Sequence, residues 1–207
     1  KWDSIIDMTE FWKQFKRIRK SKRVACIHFC TTKFGYSLIK SWEKGFKMDM
    51  VWKKRTMTGA LCSRYRPMRQ HEMIYFFYEQ APLYNRDKYH KPINSGGAKP
   101  TTKPGADITV YGVPFGNGTN PYSPPNPGSV VEGSLNINRK RYHPTEKPQD
   151  ILGFLLKYWS DEGDVVLDPT MGGGSTGVAC KTLGRNFIGY EKDPEIYEVA
   201  CARINDA

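Results

Sequence analysis

The residues most able to do chemistry are Val165-Val166-Leu167-Asp168-Pro169-Thr170-Met171-Gly172-Gly173-Gly174-Ser175-Thr176-Gly177. A short apolar run ends on a carboxylate. A glycine turn follows, and then a helical pattern through Val178, Ala179, Cys180 and Leu183. Glycines let a backbone approach a ligand closely, and the free N–H groups at a helix start attract anions and polar oxygens. Further on, Asn186-Phe187-Ile188-Gly189-Tyr190-Glu191 reads as a second strand ending in an acid, suited to gripping ribose hydroxyls. Strand, loop, helix, strand and second acid together describe a nucleoside-cofactor site on an α/β sheet. On spacing alone the cofactor is NAD, FAD or S-adenosylmethionine.

The elements that must hold such a site come earlier in the chain. Ile5, Ile6, Met8, Phe11, Trp12, Phe15 and Ile18 recur at helical spacing behind a cap-like Asp3-Ser4. Residues 24–30 read as a buried strand, 31–44 as a helix, and 46–52 and 73–78 as two more strands. Alternating strands and helices predict an open, mainly parallel sheet covered on both faces. Gln149 to Trp159 reads as a helix entered through the stiff Pro144 and Pro148.

At 207 residues, one domain with an insertion is the natural reading. No apolar run approaches membrane-span length and no signal peptide precedes the fold, so a cytoplasmic protein is expected. The five cysteines are odd in number and unpatterned, which favours a reducing compartment. Cys26, His28 and Cys30 are better explained as alternate positions on one strand than as a metal fragment, and no metal is expected. The net charge of +11 favours a polyanionic partner. Basic residues gather on the first helix and its exit, at Lys53, Lys54, Arg55, Arg64, Arg66 and Arg69 in a loop linking two strands, and at Arg139, Lys140 and Arg141. Phosphate contacts are expected of the last two groups, while those on the first helix also suit a solvated face.

Asp168 to Gly177, with Arg185-Asn186-Phe187-Ile188-Gly189-Tyr190-Glu191, resembles the cofactor half of bacterial and phage DNA amino-methyltransferases. His143-Pro144-Thr145-Glu146-Lys147-Pro148 resembles the His-Pro-Thr-x-Lys-Pro segment of the same family. Their order resembles the family's β class. The resemblance implies a Rossmann-like methyltransferase sheet with helices on both faces and an irregular target-recognition insert. It divides the chain into a catalytic half at 1–79, an insert at 80–141 and a cofactor half at 142–207. It implies S-adenosylmethionine as cofactor, held by Asp168, Thr170, Gly172, Gly174, Ser175 and Glu191, with Thr145 and Lys147 at its methionine end. Thr170 stands where the family usually carries Phe, so an aromatic wall beside the cofactor is expected to be missing.

Double-stranded DNA is the implied partner, and a homodimer is admitted. The implied reaction is methylation of adenine N6, with cytosine N4 as runner-up and a catalytically inactive DNA- or cofactor-binding relative as the reading from another class. The family's catalytic tetrapeptide, Asp-Pro-Pro-Tyr or a relative, is not in the sequence. Lys1-Trp2-Asp3 resembles the residues that come just after that tetrapeptide in the family, so the tetrapeptide is expected before Lys1. Ser123-Pro124-Pro125-Asn126 is a decoy: no apolar strand leads into it and no aromatic comes after it. Composition in the insert changes sharply, with prolines among Gly, Asn, Ser and Thr. Ile108, Val110, Val113 and Phe115 could anchor short strands there.

Overall fold

A computed structural model describes residues 6–89, 127–133, 142 and 145–207. The expectations for Asp3-Ser4, the strands at 108–115, Ser123–Asn126, Arg139, Lys140, Arg141, His143 and Pro144 lie outside these residues. Two compact units are present, one of 1–84 with 128–207 and one of 85–127. In the second, α3 (Arg86–Tyr89) is the described element.

In the first unit, α1 (Met8–Ile18) starts at Asp7, whose carboxylate accepts the backbone N–H of Thr9 and Glu10. β1 (Cys26–Cys30) follows, then α2 (Thr32–Ser41), capped by Thr31. β2 (Phe46–Thr58) and β3 (Arg69–Phe77) form an antiparallel hairpin, with Met50 opposite Ile74 and Lys53 opposite His71. β1 lies antiparallel on the other side of β3, while β4 (Val130–Gly133) lies parallel to β2, giving the order β1-β3-β2-β4. α4 (Gln149–Trp159) leads to β5 (Val165–Asp168), α5 (Ser175–Thr182), β6 (Asn186–Gly189) and α6 (Pro194–Asn205). β5 and β6 pair in parallel, as the strand–loop–helix–strand reading requires.

Alternate side chains of β3 divide the core between the two faces of the sheet. Ile74 and Phe76 pack with Met50, Trp52 and, from α4, Ile151 and Leu155. Tyr75 and Phe77 pack with Trp12 of α1 and Leu38 of α2. The opposite stripe of α4, Leu152 and Leu156, meets Ala179 and Cys180 of α5, with Phe29 of β1, Val166 of β5 and Phe187 of β6 against it. One helix thus joins the four-stranded sheet to the β5–β6 pair, and helices cover both faces as expected.

Three differences have physical causes. The four-stranded sheet is mixed, not mainly parallel, because β2 and β3 are joined by a hairpin and a crossover helix is absent between them. The basic run Lys53-Lys54-Arg55, read as loop, belongs to β2, whose ladder with β3 continues outward to Thr58 opposite Arg69. Alternation of burial is lost there because both faces of that segment are wet. β4, inside the Pro- and Gly-rich stretch, is four residues long and too short to show a period.

Candidate functional site

The loop after β5 is shaped by its two acids. Asp168 accepts the Thr170 backbone N–H at 3.0 Å through one carboxylate oxygen and the Thr176 hydroxyl at 2.7 Å through the other, so it ties the turn to the start of α5. Glu191, just past β6, accepts the Gly172 N–H at 3.1 Å through Oε2, and the Lys192 and Asp193 N–H groups through Oε1. Backbone bonds close the loop against the next strand: Met171 N–H to the Tyr190 carbonyl at 2.9 Å and Tyr190 N–H to the Asp168 carbonyl at 3.0 Å. The two acids and the glycine turn therefore meet at one place, at the ends of the parallel pair where α/β sheets bind ligands.

The glycines have unequal duties. Gly172 and Gly174 both lie at positive φ, +50° and +74°. A Cβ on Gly174 would come within 3.1 Å of Ala200 Cβ and Ile204 Cδ1. The absence of a side chain at Gly174 lets α6 pack against the turn. Gly172 is the position where the turn and the second acid touch. Ser175 is buried, and its carbonyl accepts the Gln149 side-chain amide at 2.9 Å, which fixes α4 to the start of α5. Thr170 is exposed, and it is its backbone that binds Asp168.

The segment before α4 is anchored by residues that spacing did not single out. Glu146, only 8% exposed, forms an ion pair with Arg203 of α6 at 2.5 Å. Arg203, equally buried, also donates to the Gly173 carbonyl at 2.8 Å and stacks on the Tyr142 ring. This buried pair clamps the entry to α4, the glycine loop and α6 together. An acid inside the His-Pro-Thr-Glu-Lys-Pro segment was visible in the sequence, but its partner is 57 residues away.

Lys147 extends in another direction. Its ammonium donates to the Thr145 carbonyl at 2.9 Å, lies 3.5 Å from Glu72 of β3, and sits over the rings of Phe29 and Trp52. Lys54 of β2 bonds the other Glu72 oxygen. Burial works against the Glu72 charge, but the two ammonium groups prevail and hold its carboxyl below the ordinary carboxylate value. Lys147, expected to face a cofactor carboxylate, thus makes a shared ion pair, and among the described residues one of the two positive charges on Glu72 is unbalanced.

The other basic residues divide. Lys53 pairs with Glu132 at 3.4 Å across β2 and β4. Arg55, Arg64 and Arg66 are exposed and make no ion pair among the described residues. Arg69, also exposed, donates to the His71 carbonyl. On β1, the Cys26 thiol lies 3.3 Å from His28 Nε2 amid aromatic rings. Among the described residues, no helix is long and apolar enough to cross a membrane.

Known proteins resemble the chain in sequence and in fold. Over 79 residues the chain is 41% identical to the type II methyltransferase M2.LlaDCHI of Lactococcus lactis subsp. cremoris, a match covering 37% of this chain and 29% of that protein. Over 78 residues it is 44% identical to the type II methyltransferase M2.DpnII of Streptococcus pneumoniae, covering 36% and 29%. The matched segment thus spans under a third of those relatives. Among solved structures, the M1.HpyAVI–SAM complex superposes with a TM-score of 0.65 at 23% identity, over 95% of this chain and 81% of that one. The cytosine-N4-specific PvuII DNA methyltransferase superposes at 0.67 and 12% identity, over 94% and 70%. At these identities the structures show a shared fold. The N6/N4 DNA methylase family profile matches residues 2–202, and the chain belongs to that family.

Proposed function

We propose that the protein binds S-adenosylmethionine and transfers its methyl group to an exocyclic amine of double-stranded DNA, adenine N6 first and cytosine N4 second. The observation that carries the reading is the meeting of Gly172 with the Glu191 carboxylate at the end of the parallel β5–β6 pair, in a chain of the DNA methylase family. A carboxylate oxygen has more than one lone pair, so Glu191 keeps acceptor capacity for ribose hydroxyls while holding the loop. Asp168 keeps the turn in shape, and its negative charge suits an α-ammonium. Lys147, with the unbalanced positive charge at Glu72, suits the carboxylate of the same amino-acid end. S-adenosylmethionine supplies an electrophilic methyl on a sulfonium. On transfer the amine nitrogen would form the new N–C bond, the S–C bond would break to leave a thioether, and one amine proton would pass to solvent water. We assign no amine-activating group among the described residues.

Cytosine N4 is retained as second reading because the PvuII relative, similar in fold, is named as cytosine-N4-specific. Calorimetry with S-adenosylmethionine, its demethylated product and NAD tests the cofactor, and digestion of methylated duplex DNA to nucleosides tests the amine. Binding of the first two and appearance of N6-methyladenine are expected. N4-methylcytosine would select the second reading. Binding of NAD alone, or DNA binding with neither methylated base, would overturn methyl transfer and leave a binding relative.

A further inference from the structure

Past their last sheet neighbours, β2 and β3 continue as a two-stranded ribbon. Among the described residues β4 pairs with β2 from Val51 to Lys54 and β1 with β3 from Met73 to Phe77; beyond Lys53 opposite His71 the β2–β3 pairing is broken by a bulge in β2 and resumes at Thr58 opposite Arg69. Its tip is built by backbone bonds. After Gly59 at φ +92°, Ala60–Cys62 forms a 3₁₀ turn, and the Ser63, Tyr65 and Arg66 N–H groups fold back on the Ala60 and Cys62 carbonyls. That ordered tip presents Leu61 at 99% exposure and Tyr65 at 88%, with Met57 also exposed behind them. Arg64 and Arg66 flank Tyr65 in the same turn, Arg69 lies opposite Thr58 at its base and Arg55 precedes it on β2; all four are exposed, and no acidic residue occurs anywhere from Lys53 to His71.

A leucine and a tyrosine held fully in water on a rigid turn are unfavourable without a partner. A partner contacting the tip must also accept the ring of arginines, which excludes an ordinary basic or neutral protein face and fits a phosphate backbone. A two-stranded ribbon has the width of a DNA groove. Apolar side chains that enter DNA do so by wedging between base pairs, while flanking cations hold the phosphates. Chemistry on a base amine requires the base to leave the stack, and its vacated space must be filled or collapse.

We propose that the β2–β3 tip is a wedge: Leu61 and Tyr65 enter the base stack and fill the space of the extruded target base, while Arg55, Arg64, Arg66 and Arg69 hold the flanking phosphates. This rests on the reading that the protein acts on duplex DNA, and it gives the tip a role distinct from cofactor binding and from base identification.

The test uses the full gene product and a duplex carrying the site found by mapping the base it methylates. A second duplex has a mismatch at the target pair, which weakens the stack. With Leu61→Ala/Tyr65→Ala, kcat/KM on the paired duplex is expected to fall by roughly tenfold or more and to recover most of that loss on the mismatched duplex. S-adenosylmethionine affinity should stay unchanged. With 2-aminopurine at the target position, fluorescence should rise on binding of the wild type and not of the variant. Equal losses on the two duplexes, or no loss, would overturn the wedge. So would a dimer, seen by sedimentation, that the double variant dissolves, since the tip would then be a protein contact. The proposed function fails separately, when the wild type methylates no DNA; 2-aminopurine scanned along a duplex that the protein binds then still decides the wedge, and both fall if it binds none.

Discussion

Glu191 has two tasks that can be separated at a single atom. It holds the glycine loop through the Gly172 N–H, and in our reading it takes ribose hydroxyls. Glu191→Ala should weaken S-adenosylmethionine binding by about 1.5–3 kcal/mol, as for lost charge-assisted hydrogen bonds, whereas Glu191→Gln keeps one neutral acceptor and should lose less. Calorimetry on the two variants distinguishes them; equal losses would mean that shaping the loop is the whole contribution. Glu146 and Arg203 pose a different question, because neither need touch the cofactor. Removing one member leaves a charge buried at 8% exposure beside the loop. Glu146→Gln should therefore destabilise the fold by roughly 3–5 kcal/mol, and Glu146→Leu/Arg203→Leu by less than either single change. Denaturant unfolding of Glu146→Gln, Arg203→Leu and the double variant reads this directly. A double variant as unstable as the worst single would show that the pair's own attraction, not the stranded charge, dominates.

Elements with a strong period were legible in the sequence. α4 has its expected bounds, Gln149 to Trp159, because both of its apolar stripes are used, one on each sheet. The glycine turn with its two acids was legible because close backbone approach restricts residue type. Hidden were contacts between distant residues, such as Lys147 with Glu72, and strand that resembles loop, such as the outer half of β2. Polar residues there have no buried face to betray a strand, since past Lys54 the one neighbour among the described residues is the hairpin partner. The placement matters for function. Arg69 opens β3, whereas Arg64 and Arg66 stay in the connecting turn, which backbone hydrogen bonds order. Charge reversal at all three should weaken binding to every DNA sequence alike, and the wild-type affinity should fall by roughly tenfold or more between 50 and 200 mM salt, with a shallower slope in the variant. Filter binding over a salt series checks both. A loss confined to one sequence would instead put these arginines on base edges.

For the molecule as a whole, acid is the condition under which the two faces of the sheet should fail in turn. His28 of β1 is packed against Phe11, Trp12 and Phe77, and burial depresses it from 6.5 to about 4. The Cys26 thiol beside it is pushed up to about 12 by burial and stays neutral throughout. A histidine kept neutral in the fold binds fewer protons than in the unfolded chain, so its contribution is intact above pH 6.5 and is lost as pH falls toward 4. The slope is at most about 1.4 kcal/mol per pH unit, or on the order of 2 kcal/mol from pH 6.5 to 5. Glu72, on the other side, is depressed below its ordinary 4.5 by Lys147 and Lys54 against its own burial. Its contribution is present above that value and is lost only at lower pH. Unfolding midpoints in urea should therefore decline in two stages, the first removed by His28→Phe and the second by Glu72→Gln. If His28→Phe leaves the decline between pH 6.5 and 5 as steep as before, the histidine is already solvated in the fold, and the α1–α2 side of the sheet is looser than its aromatic packing requires.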